Sequence, residues 1–326
     1  MKDEILRMLR EADEYVSGQE ICNKFGVSRT AVWKAIKQLK EAGYEIEAQP
    51  NKGYHIKSIP DLVNEIELKS IWNTIWIGQE ILYFESIDST NTKAKELADA
   101  GYPSGTLVVA DQQVAGRGRR GRNWESPAGT GIFMTLMLKP EINPNNASML
   151  TLVAALAVAR AIRDVSGQKA MIKWPNDIVM NGKKICGILT EMSAQFDYIN
   201  HIVIGIGINV NNEIFPEEIK LTASSMSLEC QGRHFHRAMI IEKTMEYFEH
   251  YYEIYLRTED LAELVKEYNS MLVNMHAVVK VLDPKDSFEG KAMGITKKGE
   301  LIVDTWEARK LVSSGEVSVR GIYGYV

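Results

Sequence analysis

The sequence predicts an α+β protein in three parts, and three observations carry that reading. Residues 1–60 show apolar residues at helical spacing followed by two alternating runs. Residues 66–272 combine strand-length apolar runs with longer helical ones, and residues 273–326 hold only short strand-length runs between turn residues. At 326 residues, with 45% hydrophobic and 25% charged content, the chain has material for two or three cores.

In the first part, Ile5, Leu6 and Leu9 mark a short amphipathic helix. Ser17-Gly18-Gln19-Glu20 has the capping-box pattern ahead of Ile21 and Phe25, since a serine hydroxyl satisfies amides of the first turn. Gly26-Val27 turns the chain, and Ser28 N-caps a third helix that ends before Gly43. Val32, Ile36 and Leu39 line its inner face; Arg29, Thr30, Trp33, Lys34 and Lys37 lie outside. The runs around Tyr44-Glu45-Ile46 and Tyr54-His55-Ile56, joined through Gln49-Pro50-Asn51-Lys52-Gly53, predict a hairpin. Three helices, a tight second turn and a hairpin resemble a winged helix-turn-helix. From Lys24 to Lys57, seven Lys/Arg face three acids, so the positive surface falls where a recognition helix and wing meet phosphates. Ser28, Arg29, Thr30, Trp33, Lys34, Lys37 and Lys52 are the candidate DNA-binding residues; a small helical interaction module with solvated lysines is the bland alternative.

Pro60 and the polar stretch to about Glu67 read as a linker. Ile81-Leu82-Tyr83-Phe84 is a strand, and Asp88, Ser89 or Thr90 can cap the helix that runs on to Gly101. Gly116-Arg117-Gly118-Arg119-Arg120-Gly121-Arg122-Asn123-Trp124 then stands between the strands Thr106–Ala110 and Ile132–Leu138. Glycine lets backbone come close to a ligand, and guanidinium forks match carboxylates and phosphates. Such a loop repels itself until an anion arrives. Ala147–Val165 is a long buried helix, and Met171–Met180 reads as one strand broken at Pro175, an edge or a bulge. Asn181-Gly182 is a hairpin signal that returns the chain through Lys183–Glu191. The strand Ile202–Val210 carries glycines where something comes close. Ala238–Tyr255 and Leu261–Tyr268 read as helices. Ala277–Leu282, Phe288–Ile295, Glu300–Asp304, Arg309–Val312 and Val317–Tyr323 read as strands, with turns such as Asp283-Pro284 and Lys298-Gly299 between them.

Composition narrows the setting. No apolar run is long enough for a bilayer, and Met1-Lys2-Asp3-Glu4 does not open a signal peptide. Cys22, Cys186 and Cys230 are odd in number and widely separated, which points to a reduced, cytoplasmic location without a zinc site. A net charge of −5 restricts any DNA contact to a local patch. His234-Phe235-His236 has no companion ligands at metal spacing and reads as surface.

Asp88-Ser89-Thr90-Asn91, Gly116–Trp124, Lys173-Trp174-Pro175-Asn176-Asp177, Lys183–Leu189 and Gly205-Ile206-Gly207-Ile208-Asn209 occur in that order. Together they closely resemble the biotin–protein ligases, specifically the bifunctional bacterial type with an N-terminal DNA-binding domain. The resemblance spans essentially the whole chain. It implies a central mixed sheet with helices, related to class II aminoacyl-tRNA synthetases, and a C-terminal SH3-like barrel. It also implies biotin and ATP as substrates with Mg²⁺, a carboxylase carrier domain as acceptor, operator DNA, and a homodimer when biotinyl-5′-AMP is bound.

Residue by residue, the resemblance places biotin against Ser89, Thr90, Asn91, Gln113, Arg117, Gly118, Arg119 and Lys184, with Gln112 as an alternative to Gln113. It places ATP or the adenylate against Arg119, Arg120, Arg122, Trp124, Lys173, Asn176 and Asn209. Lys184, Arg119 and Asp177 carry the chemistry in this reading, and the Gly205–Asn209 strand floors the biotin pocket. No Ser/His/Asp set is visible, and the reaction needs none. Lipoate–protein ligase, and a ligand-sensing repressor without catalysis, are the alternatives.

Overall fold

A computed structural model describes residues 1–282, 287–315, 318–321 and 325–326. The chain divides into two compact units: residues 1–73 with 236–242, and residues 74–235 with 243–326.

The first unit opens with helices α1 (Lys2–Glu11), α2 (Gly18–Phe25) and α3 (Arg29–Glu41), followed by strands β1 (Glu45–Gln49) and β2 (Gly53–Ser58). Ser17 and Ser28 cap α2 and α3 by accepting the amides of Glu20 and Ala31, as their sequence positions require. Gly26 closes α2 in the left-handed region, φ 65°, where a side chain is disfavoured. Ile5, Leu9, Ile21, Val32, Ile36 and Leu39 form the buried core between the three helices.

The stretch read as a linker to Glu67 holds a further helix, α4 (Glu65–Ile71), N-capped by Asn64. Its polar composition hides three buried residues, Glu67, Leu68 and Ser70. Glu67 is buried but not unpartnered, because Arg10 and the Tyr44 hydroxyl both donate to it. Burial and that carboxylate push the Tyr44 hydroxyl well above its usual range. Arg7 donates to the carbonyls of Lys69, Ser70 and Trp72, satisfying the C-terminal end of α4.

The second unit is built on a seven-stranded mixed sheet. Its strands are β3 (Ile81–Ile87), β4 (Leu107–Gln113), β5 (Gly131–Leu138), β6 (Met171–Lys173), β7 (Asp177–Met180), β8 (Lys183–Ala194) and β9 (Ile199–Asn209), in the order β3-β4-β5-β9-β8-β7-β6. Only β3 and β4 run parallel. Helix α5 (Thr90–Asp99) packs Ala94, Leu97 and Ala98 against Val108, Met137 and Val203. Helix α6 (Met149–Ser166) is apolar nearly all round and almost wholly buried, and ends at Gly167 with φ 72°.

Met171–Met180 is not one strand with a bulge. It is a tight hairpin, with β6 antiparallel to β7 from Met171↔Val179 to Lys173↔Asp177. Pro175 sits in the turn, where no ladder amide is needed, and β6 is the sheet edge. The apolar run on both sides of Pro175 looked continuous because both short strands are buried.

The chain continues through α7 (Met226–Glu229), α8 (Arg237–Thr258) and α9 (Val265–Met271). Residues 261–264 form a turn, so α9 begins later than Leu261. His234 and His236 are exposed ahead of α8. Glu249 accepts backbone amides of Ile75, Trp76 and Ile77 at 2.8–3.0 Å and so orders the turn that precedes β3. Strands β10 (Val278–Leu282), β11 (Phe288–Ile295), β12 (Leu301–Asp304), β13 (Arg309–Val312) and β14 (Ser318–Gly321) form a separate antiparallel sheet, ordered β13-β12-β11-β10-β14. The turn expected at Asp283-Pro284, and Val317, Ile322 and Tyr323 of the last expected strand, lie outside the described residues. Among the described residues no helix is long and apolar enough to cross a membrane.

Candidate active site

Because β3 and β4 are parallel, with Ile87 opposite Gln113, both strands end on the same side of the sheet. The Asp88–Asn91 turn and Gln113 therefore meet. Gln113 Oε1 accepts the Thr90 amide at 2.9 Å and the Thr90 hydroxyl at 3.0 Å, while its Nε2 donates to Ser126 Oγ at 3.1 Å. Of the two glutamines, Gln113 lines the cavity. Ser89 holds the N-cap position of α5, yet its buried hydroxyl makes no capping bond; Asp88 accepts the Ser89 amide instead. Thr135, buried on β5, places its hydroxyl 2.8 Å from Thr90 Oγ1 and 2.7 Å from Asn91 Oδ1. Asn91 Nδ2 donates to Glu191 at 2.8 Å. Burial opposes ionisation of Glu191, but Lys95 and Asn91 outweigh it and hold the carboxyl below its ordinary range. The result is a buried, mutually oriented row of small polar groups.

Two glycines of β9 mark close approach. A Cβ on Gly205 would fall 2.1 Å from Asn91 Oδ1, and one on Gly207 would fall 2.5 Å from Trp124 Nε1. Trp124 lies across β8 and β9, and its buried indole N–H has no acceptor among the described residues.

The same cavity carries a cationic wall. The arginine stretch folds as a small hydrogen-bonded turn, with the Gly118 amide 2.7 Å from the Arg122 carbonyl and the Trp124 amide 3.0 Å from the Gly116 carbonyl. Arg120 takes φ 58°, a conformation rare outside glycine. Arg119 reaches across to Asn176 Oδ1 and to the Gly315 carbonyl, each at 2.6 Å. Burial, and then Arg120, draw its ionisation down, against the pull of Asp177. The β6–β7 hairpin supplies Lys173, Asn176 and Asp177. Lys184 Nζ, from β8, lies 2.6 Å from Asp177 Oδ1. Asn176 Nδ2 donates to the same oxygen at 3.1 Å, and the Tyr325 hydroxyl donates to the other. Lys173, only 5% exposed, is pushed down to about 8 by burial and by its cationic neighbours, with Asp177 opposing.

The structure brings every residue that the sequence assigned to biotin, ATP or chemistry onto one cavity of about 380 Å³. Its lining includes six cations (Arg117, Arg119, Arg120, Arg122, Lys173 and Lys184) against two carboxylates, Glu125 and Asp177. Sequence reasoning missed Gly187, the loop residues Ile214, Phe215, Pro216 and Ile219, and Tyr325. Ile214 is 89% exposed. An apolar pair between acidic residues and before a proline was the available signal.

In the first unit, Ser28, Arg29, Thr30, Trp33, Lys34, Lys37 and Lys52 are all exposed. Gln19 accepts from Arg29, and Lys37 lies 5.6 Å from the Trp33 ring centroid. The outer face of α3 is thus a basic surface with an aromatic at its centre.

A helix-turn-helix unit with a hairpin, and a mixed-sheet unit carrying a cationic, glycine-floored cavity, define a protein ligase joined to a DNA-binding module. The comparisons agree. The Biotin/lipoate A/B protein ligase family matches residues 83–209, an HTH domain matches residues 2–55, and the Biotin protein ligase C terminal domain matches residues 279–320. The bifunctional ligase/repressor BirA of Bacillus spizizenii is 41% identical over 98% of both chains, and that of Escherichia coli is 30% identical over 94% of both. The Aquifex aeolicus biotin protein ligase solved with biotin and ATP aligns at a TM-score of 0.66 and 31% identity, covering 74% of this chain and 99% of that one. The chain belongs to the bifunctional biotin ligase/repressor family.

Proposed function

We propose that the protein joins biotin to a lysine of a carboxylase carrier domain at the expense of ATP, and represses transcription with the intermediate as corepressor. A carboxylate acylates amines poorly at neutral pH, so it is first activated. A biotin carboxylate oxygen attacks the α-phosphorus of ATP, and pyrophosphate leaves. The carrier lysine then attacks the acyl carbon of biotinyl-5′-AMP, an amide forms, and AMP leaves. The observation that carries this reading is what one cavity brings together: a row of small neutral polar groups and an excess of cations.

The polar wall suits the ring of biotin, which offers neutral donors and acceptors. Ser89, Thr90 and Gln113 are the residues to bind it, with Asn91 holding Thr135 and the backbone of Arg117–Arg119 lying over the ligand. The cationic wall suits two anions that repel each other. Arg119 and Lys184 would neutralise the carboxylate and α-phosphate, Lys173, Arg120 and Arg122 the remaining phosphates, and Asn176, Asn209 and Trp124 would border the adenylate. Catalysis then rests on juxtaposition and preorganised charge, with no enzyme nucleophile. Asp177 holds Lys184 until substrate arrives. Mg²⁺ belongs with the triphosphate in this scheme. Asp177 is the carboxylate of the cationic wall, and magnesium commonly binds one or two carboxylates together with substrate phosphates.

The finer architecture follows the same reading. The divisions at 1–60, 66–272 and 273–326 are the functional parts, the central sheet is of the class II synthetase type, and β10–β14 form an SH3-like barrel. The location is cytoplasmic, and the form that grips an operator is a homodimer loaded with biotinyl-5′-AMP. Two basic recognition surfaces bind a two-fold site far better than one. The direct test is mass spectrometry of a carrier domain after incubation with the protein, ATP and either biotin or lipoate. A mass increase with biotin and none with lipoate is expected. Modification by lipoate alone would overturn the substrate, and no modification by either would overturn the activity.

A further inference from the structure

Tyr325 reaches the cationic wall from the far end of the sequence and touches two of its charged groups. Its hydroxyl donates to Asp177 Oδ2, and Lys173 Nζ lies 3.5 Å from its ring centroid. The other oxygen of Asp177 accepts from Lys184 at 2.6 Å and from Asn176 at 3.1 Å. A carboxylate turns readily about its last torsion, and a lysine has four such torsions to settle. With a donor on each oxygen, Asp177 is held in one orientation, and Lys184 is held with it. Burial and the facing carboxylate push the Tyr325 hydroxyl far above its usual range, so it stays a donor at every working pH. Lys173 is buried among Asp177, Lys184, Arg122 and Arg320. Among the described residues its ammonium meets an aromatic face rather than a hydrogen-bond acceptor, an arrangement that favours the cation.

We propose that Tyr325 is a positioning residue for the adenylation step: its hydroxyl sets Asp177, and through it Lys184, while its ring covers Lys173. The proposal rests on the assignment of Asp177, Lys184 and Lys173 to the ATP side of the cavity. The two contacts are separable, because Tyr325→Phe keeps the ring and loses the donor, whereas Tyr325→Ala loses both.

The test is steady-state pyrophosphate release by the full chain, titrating biotin and MgATP separately, with Lys184→Ala and the double variant Lys184→Ala/Tyr325→Phe alongside. Tyr325→Phe lowers kcat by about 10-fold, the scale of a small misplacement in a preorganised site, and leaves the KM for biotin unchanged. Tyr325→Ala lowers kcat further and also raises the KM for MgATP. In the double variant the Phe substitution adds little to Lys184→Ala, because both act on one pair. Wild-type kcat in Tyr325→Phe beside a slow Lys184→Ala overturns the role of Tyr325 alone. Wild-type rates in Lys184→Ala overturn the underlying assignment instead. A Tyr325→Phe protein that melts early and loses biotin KM and kcat in parallel has lost a structural contact, and that outcome also overturns the proposal.

Discussion

Replacing Lys184 with alanine tests the chemistry most directly. Its side chain is a quarter exposed and its ammonium lies 2.6 Å from Asp177, so it acts in a partly desolvated setting where charge is screened less than at a surface. A unit charge about 3 Å from a developing phosphoryl charge, at an effective dielectric of about 20, interacts with about 5 kcal/mol. Water entering the vacated space, together with Lys173 and Arg119 nearby, recovers part of that. The remaining loss is about 3–4 kcal/mol, or roughly 10²–10³ in rate, the usual scale for one preorganised electrostatic contact. Biotin binding, which the proposal rests mainly on Ser89, Thr90 and Gln113, should fall far less. Single-turnover pyrophosphate release measures the first quantity, and isothermal titration with biotin the second. Unchanged release, or an equal fall in both, would refute the view that Lys184 meets charge formed during adenylation.

Four further outcomes are expected. Trypsin should cut between Arg117 and Arg122 quickly in the free protein and slowly with biotin plus ATP, because like charges there gain anionic partners; electrophoresis of timed digests checks it. Lys173 is held down at about 8, so its charge is present below that pH and lost as pH rises through it. The kcat/KM for MgATP should therefore decline above about pH 8, and Lys173→Arg should flatten the decline. The linked stability has the opposite sense: between about 8 and the ordinary lysine range the unfolded chain holds the proton and the native one does not, so that stability rises with pH. Glu249→Ala removes the acceptor of three amides and should cost about 2–4 kcal/mol by denaturant unfolding. Reversing two recognition-helix charges (Lys34→Glu with Lys37→Glu) should abolish adenylate-dependent gel shifts of DNA upstream of biotin genes, with adenylate synthesis retained.

The parts of the fold legible in the sequence were those governed by local chemistry. Ser17, Ser28 and Gly26 announce helix ends because capping is a matter of one residue and its neighbours. Asn181-Gly182 likewise gave the β7–β8 turn. Helix α4 was hidden because its one buried carboxylate is tolerated only through Arg10 and Tyr44, distant in sequence. The β6–β7 hairpin was hidden because two buried three- and four-residue strands have no alternation to betray a turn. In the cavity, residues in dense polar motifs could be picked out in advance. Thr135 could not, since a lone threonine in an apolar strand looks like filler until Asn91 and Thr90 are seen beside it. Tyr325 could not either, because nothing near it in sequence relates it to Asp177.

The inward-facing cations already have company before any substrate comes. Arg119 is satisfied by Asn176 and Gly315, Lys184 by Asp177, and Lys173 by an aromatic face. On the proposed assignment, nucleotide binding at this wall is therefore an exchange of partners rather than the filling of bare charge. Exchange makes for a small net enthalpy and a shallow dependence on added salt, since few mobile counterions are released. It also screens the incoming anion by shape. A lone phosphate meets one cation at a time and displaces none of these contacts to advantage, whereas a tethered carboxylate and triphosphate displace several at once. On that assignment, selectivity for the assembled pair of substrates is a property of how the wall's own contacts are wired.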